Sequence, residues 1–152
     1  STQHASSAAS DVYKRQGTFQ PVKVENIEEH EIHKEHIEVS DDVVNMVKAT
    51  RKAGKKVFAV GTTATRALET AFINNTSKGF SGYTRLFIYP GYKFKAVDML
   101  ITNFHLPQSS LLMLVSAFIG YENMKNIYKT AVNKKYRFLS YGDAMLLKNN
   151  EI

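Results

Sequence analysis

The stretch Lys55–Phe72, KKVFAVGTTATRALETAF, decides the fold. Its first part, KKVFAVG, is a short and nearly continuous apolar run. That is how a strand buried on both faces of a parallel sheet reads. Gly61 ends the run, and TTATRALETAF is helical by composition. A strand that passes through a glycine directly into a helix is also a place where a ligand can bind. Gly61 lets the backbone approach a ligand closely, and the first N–H groups of a helix attract an anion. The Thr62 and Thr63 hydroxyls and the Arg66 guanidinium would add donors. The plainer use of the same residues is Thr62 as a helix cap and Arg66 as a surface side chain. The pattern is neither a Walker loop nor a dinucleotide fingerprint.

The flanking chain continues the alternation. Toward the N-terminus, FQPVKVEN and HKEHIEVS read as extended segments, with Pro21 near the start of the first. Ser40 is a good N-cap, followed by Asp41 and Asp42 where the helix dipole favours acids. Val43, Val44 and Val47 carry that helix toward Gly54, a natural stop, with Arg51 and Lys52 in the last turn. Toward the C-terminus, INNTSKGFSG reads as a loop and YTRLFIY as a strand stopped at Pro90-Gly91. KAVDMLITNF predicts a strand or strand pair. Two helices are expected over 109–119 and 122–135, broken at Gly120. RFLSYGDAMLL closes with a turn at Gly142 and a last strand. Alternating elements of this kind predict an α/β fold, a layered sheet with flanking helices.

Composition narrows the function classes. Of the 152 residues 43% are apolar and 22% charged, a globular balance. There is no cysteine, which excludes a disulfide scaffold, a thiolate metal site and a cysteine nucleophile, and fits a reducing cytoplasm. SSLLMLVSAFIG is the most apolar stretch and is shorter than the ~18 residues of a membrane span. The net charge of +6 suits a nucleic-acid partner and equally suits a solvated surface.

Four further places bear on chemistry. In DMLITNFHLPQSS an apolar strand ends in Asn103, Phe104 and His105 before Pro107, where α/β folds place their sites. His105 is a candidate acid or base, and Asn103 would orient it or bind a base edge; a histidine bonded to a turn is the alternative. Asp143, after the Gly142 turn, would bind a hydroxyl or amine, or would serve the turn alone. Tyr89, Tyr92 and Phe94, interleaved with Lys93 and Lys95, would stack on a base and touch a phosphate, or pack at a strand edge. His30, His33 and His36 lie three apart among glutamates but carry no metal-site signature. They read as a polar edge strand, and no metal is expected.

Over Ser6–Gln16, SSAASDVYKRQ matches the translation of a sequencing-library adaptor. Residues 1–16 are therefore expected to be a non-native, disordered tail, with the native reading starting at Gly17.

The blocks GTFQPVKVENIEEHEIH, VFAVGTTATRALE, IYPGYKFKAVDMLITNFHLPQSSLLMLVSAFIGYE and YRFLSYGDAMLL together resemble the S-adenosylmethionine:tRNA ribosyltransferase-isomerase family of queuosine biosynthesis. The resemblance runs from Gly17 to Leu147. Ala64 stands where the family usually has Ser, His36 where it has an aromatic, Gln108 where it has Lys, and Ser110 where it has Thr. The Ala64 departure removes one hydroxyl from the turn after the strand.

The resemblance implies a cytoplasmic enzyme without a resident cofactor. It would move the ribosyl part of S-adenosylmethionine onto 7-aminomethyl-7-deazaguanine at the tRNA wobble position, forming epoxyqueuosine. Within that chemistry Gly61, Thr62, Thr63 and Arg66 would bind an anionic group, the methionine carboxylate or a phosphate. His105 would transfer a proton with Asn103 beside it, Tyr92 would contact substrate, and Asp143 would hold an amine or hydroxyl. Family members carry a long N-terminal portion ahead of GTFQPV. Residues 17–152 are thus expected to be the C-terminal portion of the larger α/β domain of a two-domain enzyme. Such a fragment would be inactive alone and would expose apolar surface where the rest packs. The rival readings are a non-catalytic RNA-binding module and an ordinary nucleotide-binding domain.

Overall fold

The computed structural model describes residues 32–73, 78–140 and 142–150. The FQPVKVEN strand, the adaptor-like tail and His30 lie outside these residues. Among them, strand β1 (Glu35–Val39) pairs antiparallel with β3 (Phe80–Thr84), Ile37 opposite Gly82. The second sheet has the order β2 (Phe58–Val60), β4 (Met99–Asn103), β5 (Ala144–Lys148). β2 runs parallel to β4, with Ala59 opposite Leu100. β5 runs antiparallel to β4, with Leu147 opposite Leu100. The helices are α1 (Asp41–Lys52), α2 (Thr62–Ile73), α3 (Ser110–Ile119) and α4 (Tyr121–Asn133). Mixed strands and helices in layers are the α/β class the sequence predicts. No described helix is long and apolar enough to cross a membrane.

Local signals set the helix boundaries. The Ser40 side chain accepts from the Val43 N–H at 3.4 Å, and Asp41 and Asp42 fill the first turn of α1. Ser109 caps α3 in the same way, accepting from the Leu112 N–H at 3.2 Å. Gly120, at φ 85°, separates α3 from α4.

Three expectations are corrected. β2 is not buried on both faces. Ala59 is fully buried, but Phe58 and Val60 are 44% and 52% exposed. The strand spans three residues and is an edge of its sheet among the described residues, so an apolar run does not reveal which face is covered. The strand expected over Tyr83–Tyr89 instead spans Phe80–Thr84, and residues 85–89 carry no regular structure. Pairing with β1 sets that register: Glu35 opposes Thr84, and the ladder ends there. The loop reading of INNTSKGFSG accordingly fails at Phe80–Gly82, which belong to β3, while 74–77 lie outside the described residues.

The main core lies between the covered face of the β2–β4–β5 sheet and the helices. Ala59, Leu100 and Leu147 face Ala67, Leu114, Val115 and Phe118 in one buried cluster. Phe104, at the end of β4, meets Tyr128 edge-on at 5.5 Å, Tyr136 at 5.7 Å and Phe138 at 5.3 Å. Such ring pairs add about 0.5–1.5 kcal/mol each beyond their buried area. They fasten α4 and the following turn to the end of the central strand.

Candidate active site

Parallel pairing puts the ends of β2 and β4 side by side. The Gly61 N–H donates to the Ile101 carbonyl at 2.8 Å, which aligns the start of α2 with the end of β4. Gly61 has φ 90°, a conformation that L side chains rarely adopt, so the turn into α2 requires glycine there. Its carbonyl accepts from the Thr65 N–H at 3.2 Å and the Thr65 hydroxyl at 3.0 Å. Gly61, not Thr62, therefore occupies the cap position. The first-turn N–H groups of α2 have no partner inside the helix. Thr63 is exposed at this turn, while Thr62 and Ala64 are buried.

β5 begins beside the end of β4, with Ala144 opposite Asn103. The Asn103 amide donates to the Asp143 carbonyl at 3.2 Å. Gly61, Asn103, His105 and Asp143 thus gather at one end of the sheet, the carboxyl ends of its two parallel strands. α/β sheets bind ligands at such ends.

His105 is buried. Its Nε2 lies 2.9 Å from the Thr102 hydroxyl, and its backbone N–H donates to the Tyr128 hydroxyl at 2.9 Å. Burial lowers its pKa from 6.5 to about 4, so the ring is neutral at pH 7. Burial raises the Tyr128 pKa, partly offset by the hydrogen bond from the His105 backbone. The Asp143 carboxylate accepts from the Arg137 N–H at 2.7 Å and pairs with the Arg137 guanidinium at 3.6 Å. A Cβ on Gly142 would run into the Arg137 carbonyl, so this turn closes only with glycine.

Arg66 and Tyr92 go elsewhere. Arg66 pairs with Glu35 at 3.0 Å and donates to the Leu86 carbonyl at 3.2 Å, tying α2 to β1 and the chain after β3. The Tyr92 hydroxyl donates to Glu69 at 3.0 Å, and its ring packs edge-on against Phe94 at 5.0 Å. Burial, and next the Glu69 charge, raise the Tyr92 pKa well above its usual value. Phe94 in turn packs on Phe118 at 4.8 Å.

The queuosine biosynthesis protein family model matches residues 12–147. This chain belongs to that family. A relative from Halothermothrix orenii, named S-adenosylmethionine:tRNA ribosyltransferase-isomerase, is 59% identical over 132 residues, 86% of this chain and 39% of its own length. The crystal structure of S-adenosylmethionine tRNA ribosyltransferase from Thermotoga maritima superposes with a TM-score of 0.71. It is 48% identical, over 73% of this chain and 39% of that one. The chain thus spans about two fifths of the length of these relatives.

Within this queuosine-family chain the sequence reading missed Glu69. It is fully buried and accepts from the Tyr92 hydroxyl and from the N–H groups of Lys95 (2.8 Å), Ala96 (2.9 Å) and Val97 (3.0 Å). One signal was available: a lone acid on the apolar side of an otherwise small and hydrophobic helix. Asp98 was missed as well. It accepts from the Val57 N–H at 2.7 Å and pairs with Arg51 at 3.3 Å. His36 meets Tyr83 edge-on at 5.2 Å, within the β1–β3 pair.

Proposed function

We propose that this chain is the C-terminal portion of an S-adenosylmethionine:tRNA ribosyltransferase-isomerase. The whole enzyme would transfer the ribosyl part of S-adenosylmethionine to 7-aminomethyl-7-deazaguanine in tRNA and isomerise it, giving epoxyqueuosine with release of adenine and methionine. The observation that carries the reading is the gathering of Gly61, Asn103, His105 and Asp143 at the strand ends of a chain that belongs to the queuosine family.

The reaction asks for a base at the carbon beside the sulfonium, since the positive sulfur acidifies that C–H. His105 would supply the proton acceptor: its imidazole is buried and neutral, and Thr102 holds the ring in place. Asn103, fixed by the Asp143 carbonyl, would orient the substrate base. The first-turn N–H groups of α2 and the exposed Thr63 hydroxyl would receive the methionine carboxylate or a phosphate. Arg66, engaged by Glu35, would act through the position of α2 more than by direct contact. Asp143, turned to Arg137, would meet substrate through the turn it shapes. This segment alone is expected to give no turnover.

The test is adenine release from S-adenosylmethionine by the full-length enzyme with substrate tRNA. His105→Ala is expected to lower the rate by about 100-fold or more, the scale of lost general acid–base catalysis. Activity within a few-fold of wild type removes His105 from the chemistry. Tight tRNA binding without any S-adenosylmethionine binding would instead support the non-catalytic module.

A further inference from the structure

The end of α4 carries a charge pattern that the strand-end site does not use. From Phe104 to Gly142 the sole acid is Glu122, near the start of α4, while Lys125, Lys129, Lys134, Lys135 and Arg137 follow it. Lys129, Lys134 and Lys135 are exposed, and none makes an ion pair among the described residues. They fall within seven residues of sequence: Lys129 lies in α4, Lys134 caps its end and Lys135 follows at φ 57°. Arg137 differs, because Asp143 takes its charge.

This cationic segment is held close to the strand ends. Tyr128 accepts from the His105 N–H, and Phe104 contacts both Tyr128 and Tyr136. The Leu139 N–H donates to the Phe104 carbonyl at 2.9 Å. Tyr136, between the lysines and Arg137, is itself exposed. Uncompensated lysines repel one another and raise the local potential, and a polyanion relieves that by releasing counterions. An exposed ring among them suits a nucleic acid with accessible bases.

We propose that Lys129, Lys134 and Lys135, at the C-terminal end of α4, form a docking surface for the phosphate backbone of the RNA that presents its base to the strand-end site. The proposal rests on the tRNA-modifying reading and deepens it. The lysines position the RNA and carry no base specificity, as phosphate contacts generally do.

The test is the salt dependence of tRNA binding to this chain. Three variants are compared with wild type: Lys129→Gln/Lys134→Gln/Lys135→Gln, the same three positions changed to Arg, and Lys52→Gln/Lys55→Gln/Lys56→Gln. The last set removes equal charge at the opposite end of β2. The α4 glutamine set is expected to lower the slope of log affinity against log salt by about 2, on the scale of 0.7–0.9 per phosphate contact. The arginine set should keep the wild-type slope, and the Lys52 set should change it by less than about 0.5. Equal losses from both glutamine sets, an unchanged slope in the α4 set, or absence of tRNA binding by wild type would each overturn the proposal. So would competition by polyglutamate as effective as that by tRNA at equal charge. Failure of the catalytic reading is separable: α4-dependent tRNA binding with no adenine release by the full-length enzyme removes the transferase and leaves the surface. Adenine release at wild-type KM for tRNA in the α4 glutamine set does the reverse.

Discussion

The two ends of the β2–β4–β5 sheet use polar residues for opposite purposes. At the end where β4 begins, two buried carboxylates are engaged by backbone N–H groups and side-chain donors. Glu69 gathers three N–H groups and a tyrosine hydroxyl, and Asp98 takes the Val57 N–H and the Arg51 guanidinium. Arg51 also donates to the Lys95 carbonyl, and the Asn149 N–H donates to the Asp98 carbonyl. At the other end, Gly61, Asn103 and His105 are bonded to neighbouring strands and to α4, and Thr63 stands exposed at the first turn of α2. One end fixes the chain, and the other is the proposed ligand end. Burying a polar group is tolerable only when its partners are built in, so the end where β4 begins is where stability resides.

The sharpest way to break this contrast is Glu69→Ala. It would strand three N–H groups, two of them in bonds that are fully buried, and is expected to cost about 3 kcal/mol or more by urea unfolding of the chain. A cost under about 1 kcal/mol would mean that water replaces the carboxylate and that this end is not the anchor.

His105 contributes the next largest effect, through pH. Its pKa is about 4 in the folded protein against 6.5 for the free side chain. Between those values the unfolded chain binds a proton that the folded chain refuses, so stability falls as pH drops from 6.5 to 4 and levels off below. The loss should be about 2 kcal/mol, allowing for solvent that still reaches the ring. His105→Gln should flatten the curve in that window. A variant as acid-sensitive as wild type would place the titrating group elsewhere.

Asp143→Ala should matter least to stability. The carboxylate is partly exposed and its ion pair is long, so a loss under about 1 kcal/mol is expected from thermal unfolding. A larger loss would move the 137–143 turn into the anchoring class and away from the ligand end.

The sheet's two faces explain why the strand KKVFAVG was read only in part. Its apolar residues alternate between Ala59, under the helices, and Phe58 and Val60, open on the other side. Val60 lies opposite Ile101, and Ile101 lies opposite Leu146, which is 60% exposed. An apolar residue states that it should be covered and does not say by what. The same limit applies to Tyr83–Tyr89, where β-propensity extends past the point at which β1 stops offering a partner. Helix ends were legible because Ser40 and Gly120 act on neighbours three or four residues away. Among the candidate residues, Gly61, Asn103 and His105 were legible as polar or turn positions at the end of an apolar strand. Arg66 and Tyr92 were legible as polar groups, but their partners Glu35 and Glu69 lie 31 and 23 residues away.

By itself the sequence determined the strand–glycine–helix unit, its capped neighbours, the basic balance and the family resemblance, since all of these rest on local chemistry or on ordered motifs. Only the tertiary structure decided that the ends of β2 and β4 converge, that Phe58, Val60 and Leu146 are exposed on one face of the sheet, and that Glu69 binds backbone in place of solvent. Those outcomes depend on which distant segments meet. A buried carboxylate, or an exposed valine, has its meaning set by the atoms across from it.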